Sequence, residues 1–482
     1  MKNNRSSWSS NLGFILAAAG SAIGIGNLWK FPYITWENEG GAFVLIYIGC
    51  VILIGIPIMS AELLIGKKSR LNPVSGMLQL GAGLFGGNKW RFVGWLGIIS
   101  SGIILSYVNV ISGWAVFYFL KCINWSLFGY APIENHFNIF LENSVLQLIL
   151  SLFFSIATAT VVIRGISGGI EKASRLLMPA LFILLVTLLL YSFGMEGSAR
   201  AFKFIFEPRF SNLKIESILE AMGQAFFSLS LGMGVMITYG SYIKRNSKIF
   251  NNALIIVSMD TFVALIASII MYTIIFTFPQ IESGISSSTT GMLFTTLPPL
   301  FYTKISWGTL LGPVFYLLVV FAAFSSTISL LEVVVALLID QFKFSRTKAT
   351  SISAISIFII TIMVVLSLNS QNGFSNFNPF GNPESGIFYE LNQIIFRGKM
   401  GFMTIADHAV ANWLLPLTGL FTTLFFGWFL PKKIAKNEMK NLLFGNKENK
   451  IYEIFMFSIK FVTPAAIFYI IYNILTGSSD FT

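Results

Sequence analysis

Gly20-Ser21-Ala22-Ile23-Gly24-Ile25-Gly26-Asn27 lies inside the first long apolar stretch of this 482-residue chain. Lipid offers no hydrogen bonds, so non-helical backbone at membrane depth survives only where it is buried in protein or lines a cavity. A run of small residues also lets two helices pack closely, so one such break is open to a bland reading. A second break, Ser228-Leu229-Ser230-Leu231-Gly232-Met233-Gly234, falls in the sixth apolar segment. Gly-interrupted segments at corresponding positions of two halves point to a binding site between inverted repeats. Segments 1 and 6 are five apart, as a five-plus-five repeat requires.

The membrane itself follows from composition. With 55% hydrophobic and 11% charged residues, and a mean hydropathy of +0.75, the chain is too apolar for a soluble globule. Apolar segments occur near 11–35, 41–66, 91–121, 145–163, 174–194, 216–242, 252–279, 308–339, 350–369, 405–430 and 453–476. Most are long enough to cross ~30 Å of hydrocarbon. The expected fold is an all-α membrane protein of about 11 transmembrane helices. It forms one transporter domain over 1–482, with inverted repeats at about 8–195 and 215–430 and an extra helix at about 453–476.

Eleven crossings put the termini on opposite sides. With the N-terminus cytoplasmic, 22 basic residues fall inside, from Lys2 and Arg5 to the six lysines between Lys432 and Lys450, against about nine outside. That is the bias of the positive-inside rule. The net charge of +11 therefore calls for no nucleic-acid partner, and the 432–450 loop is expected at the anionic inner leaflet. The C-terminus is expected outside, in a bacterial plasma membrane. Cys50 and Cys122 both fall in apolar segments, which argues against a disulfide framework.

Enzyme motifs are missing: no Walker loop, no His-Glu-x-x-His and no phosphate-binding pattern occurs. The two histidines, His136 and His408, sit in no ligand cluster, and His408 is expected to be exposed beside Asp407. Asp260, within Val257-Ser258-Met259-Asp260-Thr261-Phe262, carries information by itself. A carboxylate in such a stretch costs ~2.5–3.5 kcal/mol on insertion scales and marks a functional site or a structural pair. Glu62 is expected to accept a hydrogen bond from the unwound part of helix 6, and Glu332 to make a polar contact on the cytoplasmic half.

Trp8, Gly13, the Gly20 to Asn27 run, Trp29-Lys30-Phe31-Pro32, Glu37-Asn38, Gly40-Gly41-Ala42-Phe43, Gly55-Ile56-Pro57, Arg164-Gly165-Ile166, Gly223-Gln224-Ala225-Phe226-Phe227-Ser228-Leu229-Ser230 and Ser325-Ser326-Thr327-Ile328 together resemble the neurotransmitter:sodium symporter family. The resemblance covers nearly the whole chain, and eleven helices are similar to its prokaryotic amino-acid branch. It implies sodium-coupled import of a hydrophobic or aromatic amino acid by alternating access. It also implies two sodium sites. One uses the Ala22 carbonyl, Asn27, Ser228, Asp260 and the substrate carboxylate. The other uses the carbonyls of Gly20, Ile23 and Ala322 with the hydroxyls of Ser325 and Ser326. Many members have asparagine at the Asp260 position and bind chloride nearby, so the aspartate implies chloride-independent transport.

The same resemblance lines the substrate pocket with Ser21, Ala22, Ile25, Gly26, Ile104, Val108, Phe227, Ser228, Ser230, Met233, Ser326 and Leu330. It assigns an outer gate to Lys30 and Asp407 above Phe227, and an inner gate to Arg5, Trp8, Tyr242 and Asp340. Gly24 replaces the aspartate of monoamine carriers, which favours a substrate with its own carboxylate. Two departures stand out. Lys30 replaces an arginine and loses its bidentate fork. Val108 replaces a tyrosine whose hydroxyl binds the substrate carboxylate in the family; Tyr107, one residue early, is rotated ~100° around the helix. Either Tyr107 or Asn109 compensates, or the substrate is an indole-acid-like aromatic carboxylate or an amine. A substrate sensor or channel on the same fold also remains open, and oligomeric state is not set by the sequence.

Overall fold

The computed structural model describes residues 6–133, 135–278, 292–369, 372–381, 385–431, 433–434, 436 and 448–476. Arg5 and most of the 432–450 lysine loop lie outside them. The described residues are almost entirely helical. Helices α1 (Asn11–Ala22) and α2 (Gly26–Glu37) form a first crossing bent by 57° at the break. Next come α3 (Gly41–Ser69), α4 (Gly87–Phe128), α5 (Ser144–Ile163) and α6 (Ile166–Ser192). The sixth crossing is again split, into α7 (Ile215–Ser228) and α8 (Val235–Ser241). Five more follow: α9 (Ile249–Thr277), α10 (Gly308–Phe342), α11 (Arg346–Ser367), α13 (Phe402–Phe429) and α14 (Lys450–Leu475), with α12 (Ile387–Phe396) a short helix before α13.

Nine of these helices, among the described residues, are long and apolar enough to span a bilayer unbroken. Counting α1 and α2 as one bent span gives ten among the described residues against the eleven expected; the expected sixth crossing is split into the short helices α7 and α8, neither long enough to span alone. Helices α3, α4, α9, α10 and α13 have 61–67% of their most apolar window buried, whereas α5, α6, α11 and α14 have only 33–39%. The first group is therefore the interior of the bundle and the second its rim. On the rim, Phe153 and Ile156 of α5, Ile183 of α6, Ile355 of α11 and Phe468 of α14 are exposed. Such an apolar exterior has lipid as its natural solvent.

Local chemistry sets the helix ends. Ser10 caps α1 by accepting from Gly13 N, Asn143 caps α5 through Leu146 N, and Ser345 caps α11 through Lys348 N. Gly129 ends α4 in the left-handed region at φ 70°. Tight packing requires glycine where α3 meets α8: a Cβ on Gly66 would sit 2.0 Å from the Ile237 carbonyl oxygen. Both cysteines are free and buried.

Candidate functional site

The two breaks meet at the centre of the bundle. Helix α1 stops where Ile23 N donates to Ala19 O at 2.7 Å, and the chain resumes helical form at Gly26. After Ser228, the residues Ser230, Gly232 and Gly234 take φ of 53°, 73° and 71°. Glycine fits this left-handed region; a serine there costs of order 1–3 kcal/mol. Ser230 gains contacts that offset the strain, since its Oγ donates to the freed Ser21 carbonyl at 2.9 Å. The exposed backbone of the second break is held by Glu62, whose Oε1 accepts from Gly232 N at 2.8 Å, as its position in the sequence predicts.

Glu62 is fully buried, so this contact makes a measurable prediction. Glu62→Ala is expected to destabilise by about 1–3 kcal/mol, because it strands a buried N–H. Glu62→Gln keeps an acceptor oxygen and is expected to retain most of that stability. Thermal unfolding of the two variants checks this, and equal losses would remove the hydrogen bond as the cause.

Asp260, 0% exposed, lies where α9 passes both breaks. Asn27 Nδ2 donates to its Oδ1 at 2.8 Å, Ser228 Oγ donates to its Oδ2 at 2.7 Å, and Tyr47 Oη approaches Oδ2 at 3.5 Å. All three partners are neutral. A buried carboxylate with a shell of neutral donors retains its electrostatic demand for a cation. The surrounding hydroxyl, amide and carboxylate oxygens are the hard ligands an alkali ion takes. On the other side of α1, Gly20 packs against Ser325, where an added Cβ would lie 3.2 Å from the serine Cβ. Ser325 and Ser326 both donate to Ala322 O, at 2.9 and 3.3 Å.

Between these positions runs a cavity of about 630 Å³. All thirteen residues assigned to the substrate, Tyr107 included, line it, and so do Lys30 and Asp407. Ile104, Val108 and Ile111, at helical spacing on α4, give one apolar wall. Lys30 Nζ stands 4.9 Å from the ring centroid of Phe227. Tyr107 is buried and lines the cavity, as Asp407 does, whereas Asn109 is not among the lining residues. Of the two neighbours of Val108, Tyr107 alone shares the cavity wall with it.

The far end of the bundle is packed shut. Trp8 is buried, its Nε1 donating to Tyr239 O at 3.1 Å and its backbone N to Tyr242 O at 3.2 Å. Tyr242 Oη donates to Glu332 Oε1 at 2.7 Å, and Arg346 pairs with the other oxygen of Glu332. Asp340 accepts from Asn72 N at 2.7 Å and from Asn72 Nδ2 at 3.1 Å. The structure thus brings Trp8 and Tyr242 together and ties Asp340 to the Asn72 side chain and backbone.

One expectation is corrected. His408 is fully buried: its Nε2 lies 2.9 Å from Ile395 O and its Nδ1 3.1 Å from Asn412 Nδ2. An amide nitrogen only donates, so Nδ1 accepts and Nε2 carries the proton to Ile395 O. The ring pins α12 to α13 where exposure beside Asp407 was expected. Sequence reasoning also missed Ile111, Gln224 and Ser329 of the cavity wall, and Arg346 as the partner of Glu332. The first and third fall at helical spacing from Val108 and Ser326; nothing in the local pattern signals Arg346.

A family model described as the sodium:neurotransmitter symporter family matches residues 5–140 and 140–387. The uncharacterized sodium-dependent transporter YhdH of Bacillus subtilis is 34% identical over 473 residues, covering 97% of each chain. The sodium-dependent neutral amino acid transporter B(0)AT2 of Bos taurus is 26% identical over 306 residues, covering 57% of this chain and 41% of its own. The crystal structure of MhsT in complex with L-phenylalanine superposes with a TM-score of 0.83 at 34% identity, covering 98% of this chain and all of that one.

Proposed function

Because the chain belongs to the sodium:neurotransmitter symporter family, we propose that it imports a hydrophobic or aromatic amino acid with two sodium ions, by alternating access and without chloride. The observation that carries this reading is the buried Asp260 carboxylate with only neutral partners, beside a cavity with an apolar wall. Its negative charge meets the need that chloride meets elsewhere in the family. The phenylalanine held by MhsT supports the substrate class.

In this mechanism Asn27, Ser228, Asp260 and the Ala22 carbonyl receive one sodium ion, with the substrate carboxylate beside it. The carbonyls of Gly20, Ile23 and Ala322 and the hydroxyls of Ser325 and Ser326 receive the other. Free N–H groups at the start of α2 suit a carboxylate, and the freed carbonyls suit an ammonium. Phe227, Lys30 and Asp407 close the outer side, and Trp8, Tyr242 and Asp340 the inner side, with the N-terminus cytoplasmic, the C-terminus external and the protein in the plasma membrane. Two sodium ions entering at 100 mV release ~4.6 kcal/mol, and a tenfold gradient adds ~1.4 kcal/mol per ion. The sum supports roughly 10⁵-fold accumulation of a neutral solute.

Thermal stabilisation of the purified protein by amino acids, aromatic acids and amines, each in sodium and in potassium, tests the substrate. Stabilisation by phenylalanine in sodium alone is expected. A response confined to compounds lacking the amino or the carboxylate group would make Val108 the mark of a changed substrate and end the amino-acid reading. Equal uptake in chloride and gluconate is expected, and loss in gluconate would refute chloride independence.

A further inference from the structure

Lys460 lies within α14, on the rim of the bundle, where a charged side chain needs an account. Pro464 has no N–H, so it cannot donate to the carbonyl four residues before it, that of Lys460. That oxygen accepts from Trp428 Nε1 at 3.1 Å, across the groove from α13. The helix widens here into a π-helical turn over Ser458–Val462, and the hydroxyls of Ser458 and Thr463 donate to Leu53 O on α3. The indole is thereby held with its face toward the lysine head: Lys460 Nζ stands 5.3 Å from the Trp428 ring centroid. The lysine stem passes Gly427, where an added Cβ would lie 3.1 Å from Lys460 Cγ, so glycine leaves it room.

Among the described residues Lys460 Nζ makes no ion pair. Trp428, Phe457 and Phe461 around it are at least half exposed, with Trp428 edge-on to Phe461 at 5.4 Å. Trp428 is close to the end of α13, beyond which Lys433 and Lys436 are exposed. Tryptophan at the end of a crossing marks the headgroup layer. A cation held at that depth against an aromatic face, with no carboxylate beside it, is complementary to the phosphate a lipid carries there. We propose that the groove between α13 and α14 binds one anionic phospholipid, with Lys460 pairing with its phosphate, Trp428 as the positioning residue, and the acyl chains lying along Phe461 and Phe468. The exposed rings are what favours a lipid over free phosphate. Neither substrate nor sodium enters the groove, so its failure and that of the transport reading are separate outcomes.

Full-length protein in a neutral detergent, which has no surface potential of its own, would be titrated with dioleoyl phosphatidylglycerol and with dioleoyl phosphatidylcholine, and the bound lipid counted by native mass spectrometry. Phosphatidylglycerol is expected to be retained roughly five- to tenfold more strongly. Lys460→Gln is expected to remove most of that preference while retention of phosphatidylcholine stays as it was. Trp428→Phe keeps a ring but loses the indole donor, and is expected to reduce the preference by a smaller factor. Lys433→Gln is expected to leave it unchanged. No preference in the unaltered protein would overturn the site. Equal losses in Lys460→Gln and Lys433→Gln would overturn it as well, leaving only diffuse attraction to a basic surface. Displacement of the lipid by an equal concentration of inorganic phosphate would remove the phospholipid as its ligand. A dimer that Lys460→Gln disperses, with no lipid preference, would give the groove to a second copy of the chain. Should Lys460→Gln fail to fold, the preference of the unaltered protein against that of Trp428→Phe decides.

Discussion

Asp260→Asn is expected to lower the affinity for sodium by two to three orders of magnitude. The substitution keeps an oxygen beside Asn27 and Ser228 but removes the charge. A unit charge ~4 Å from a sodium ion, at an effective dielectric of ~20, is worth about 4 kcal/mol. That corresponds to roughly 10³-fold in affinity, less whatever the site recovers by rearranging. Because the missing charge is then the only defect, chloride is expected to restore part of the sodium response in the variant and none in the unaltered protein. Sodium titrations of substrate binding in chloride and in gluconate measure both effects. Unchanged sodium affinity in the variant would remove Asp260 from the ion site.

The second large effect concerns the closed end. Glu332 is 0% exposed and Arg346 21% exposed, so the two partners of this pair are not equivalent. Arg346→Ala leaves a carboxylate sealed in the bundle with Tyr242 as its remaining hydrogen-bond donor, and is expected to destabilise by about 3–5 kcal/mol. Glu332→Ala leaves a guanidinium that still reaches solvent and retains a bond from its Nε to Val162 O at 2.7 Å, so its loss is expected to be smaller. Thermal unfolding of both variants gives the order. If Glu332→Ala proves the more damaging, the pair is not limited by burial of the carboxylate, and the contribution of Glu332 comes through Tyr242 instead.

These two sites differ in how readable they were. Asp260 stands out in the sequence as a charge in an apolar run, and its partners Asn27 and Ser228 belong to the two breaks. The pairing of Glu332 with Arg346 crosses from one helix to the start of the next, with no periodicity to announce it. His408 shows the same limit, since a histidine next to an aspartate looks like a surface residue until α12 is seen folded over it.

The sequence by itself determined the crossings, the two breaks and the residue types gathered at them. Lipid forces each segment to satisfy its own backbone, so apolar length and glycine position are local signals that need no partner. Tertiary structure alone decided that Ser329 meets Ser21 at 2.6 Å, that Asn109 lies off the cavity while Ile111 lines it, and that His408 is buried. Those outcomes depend on which side chains from segments far apart in the chain share the same few ångströms. Packing fixes that choice, because a buried hydroxyl or imidazole is stable only where another segment supplies its hydrogen bond.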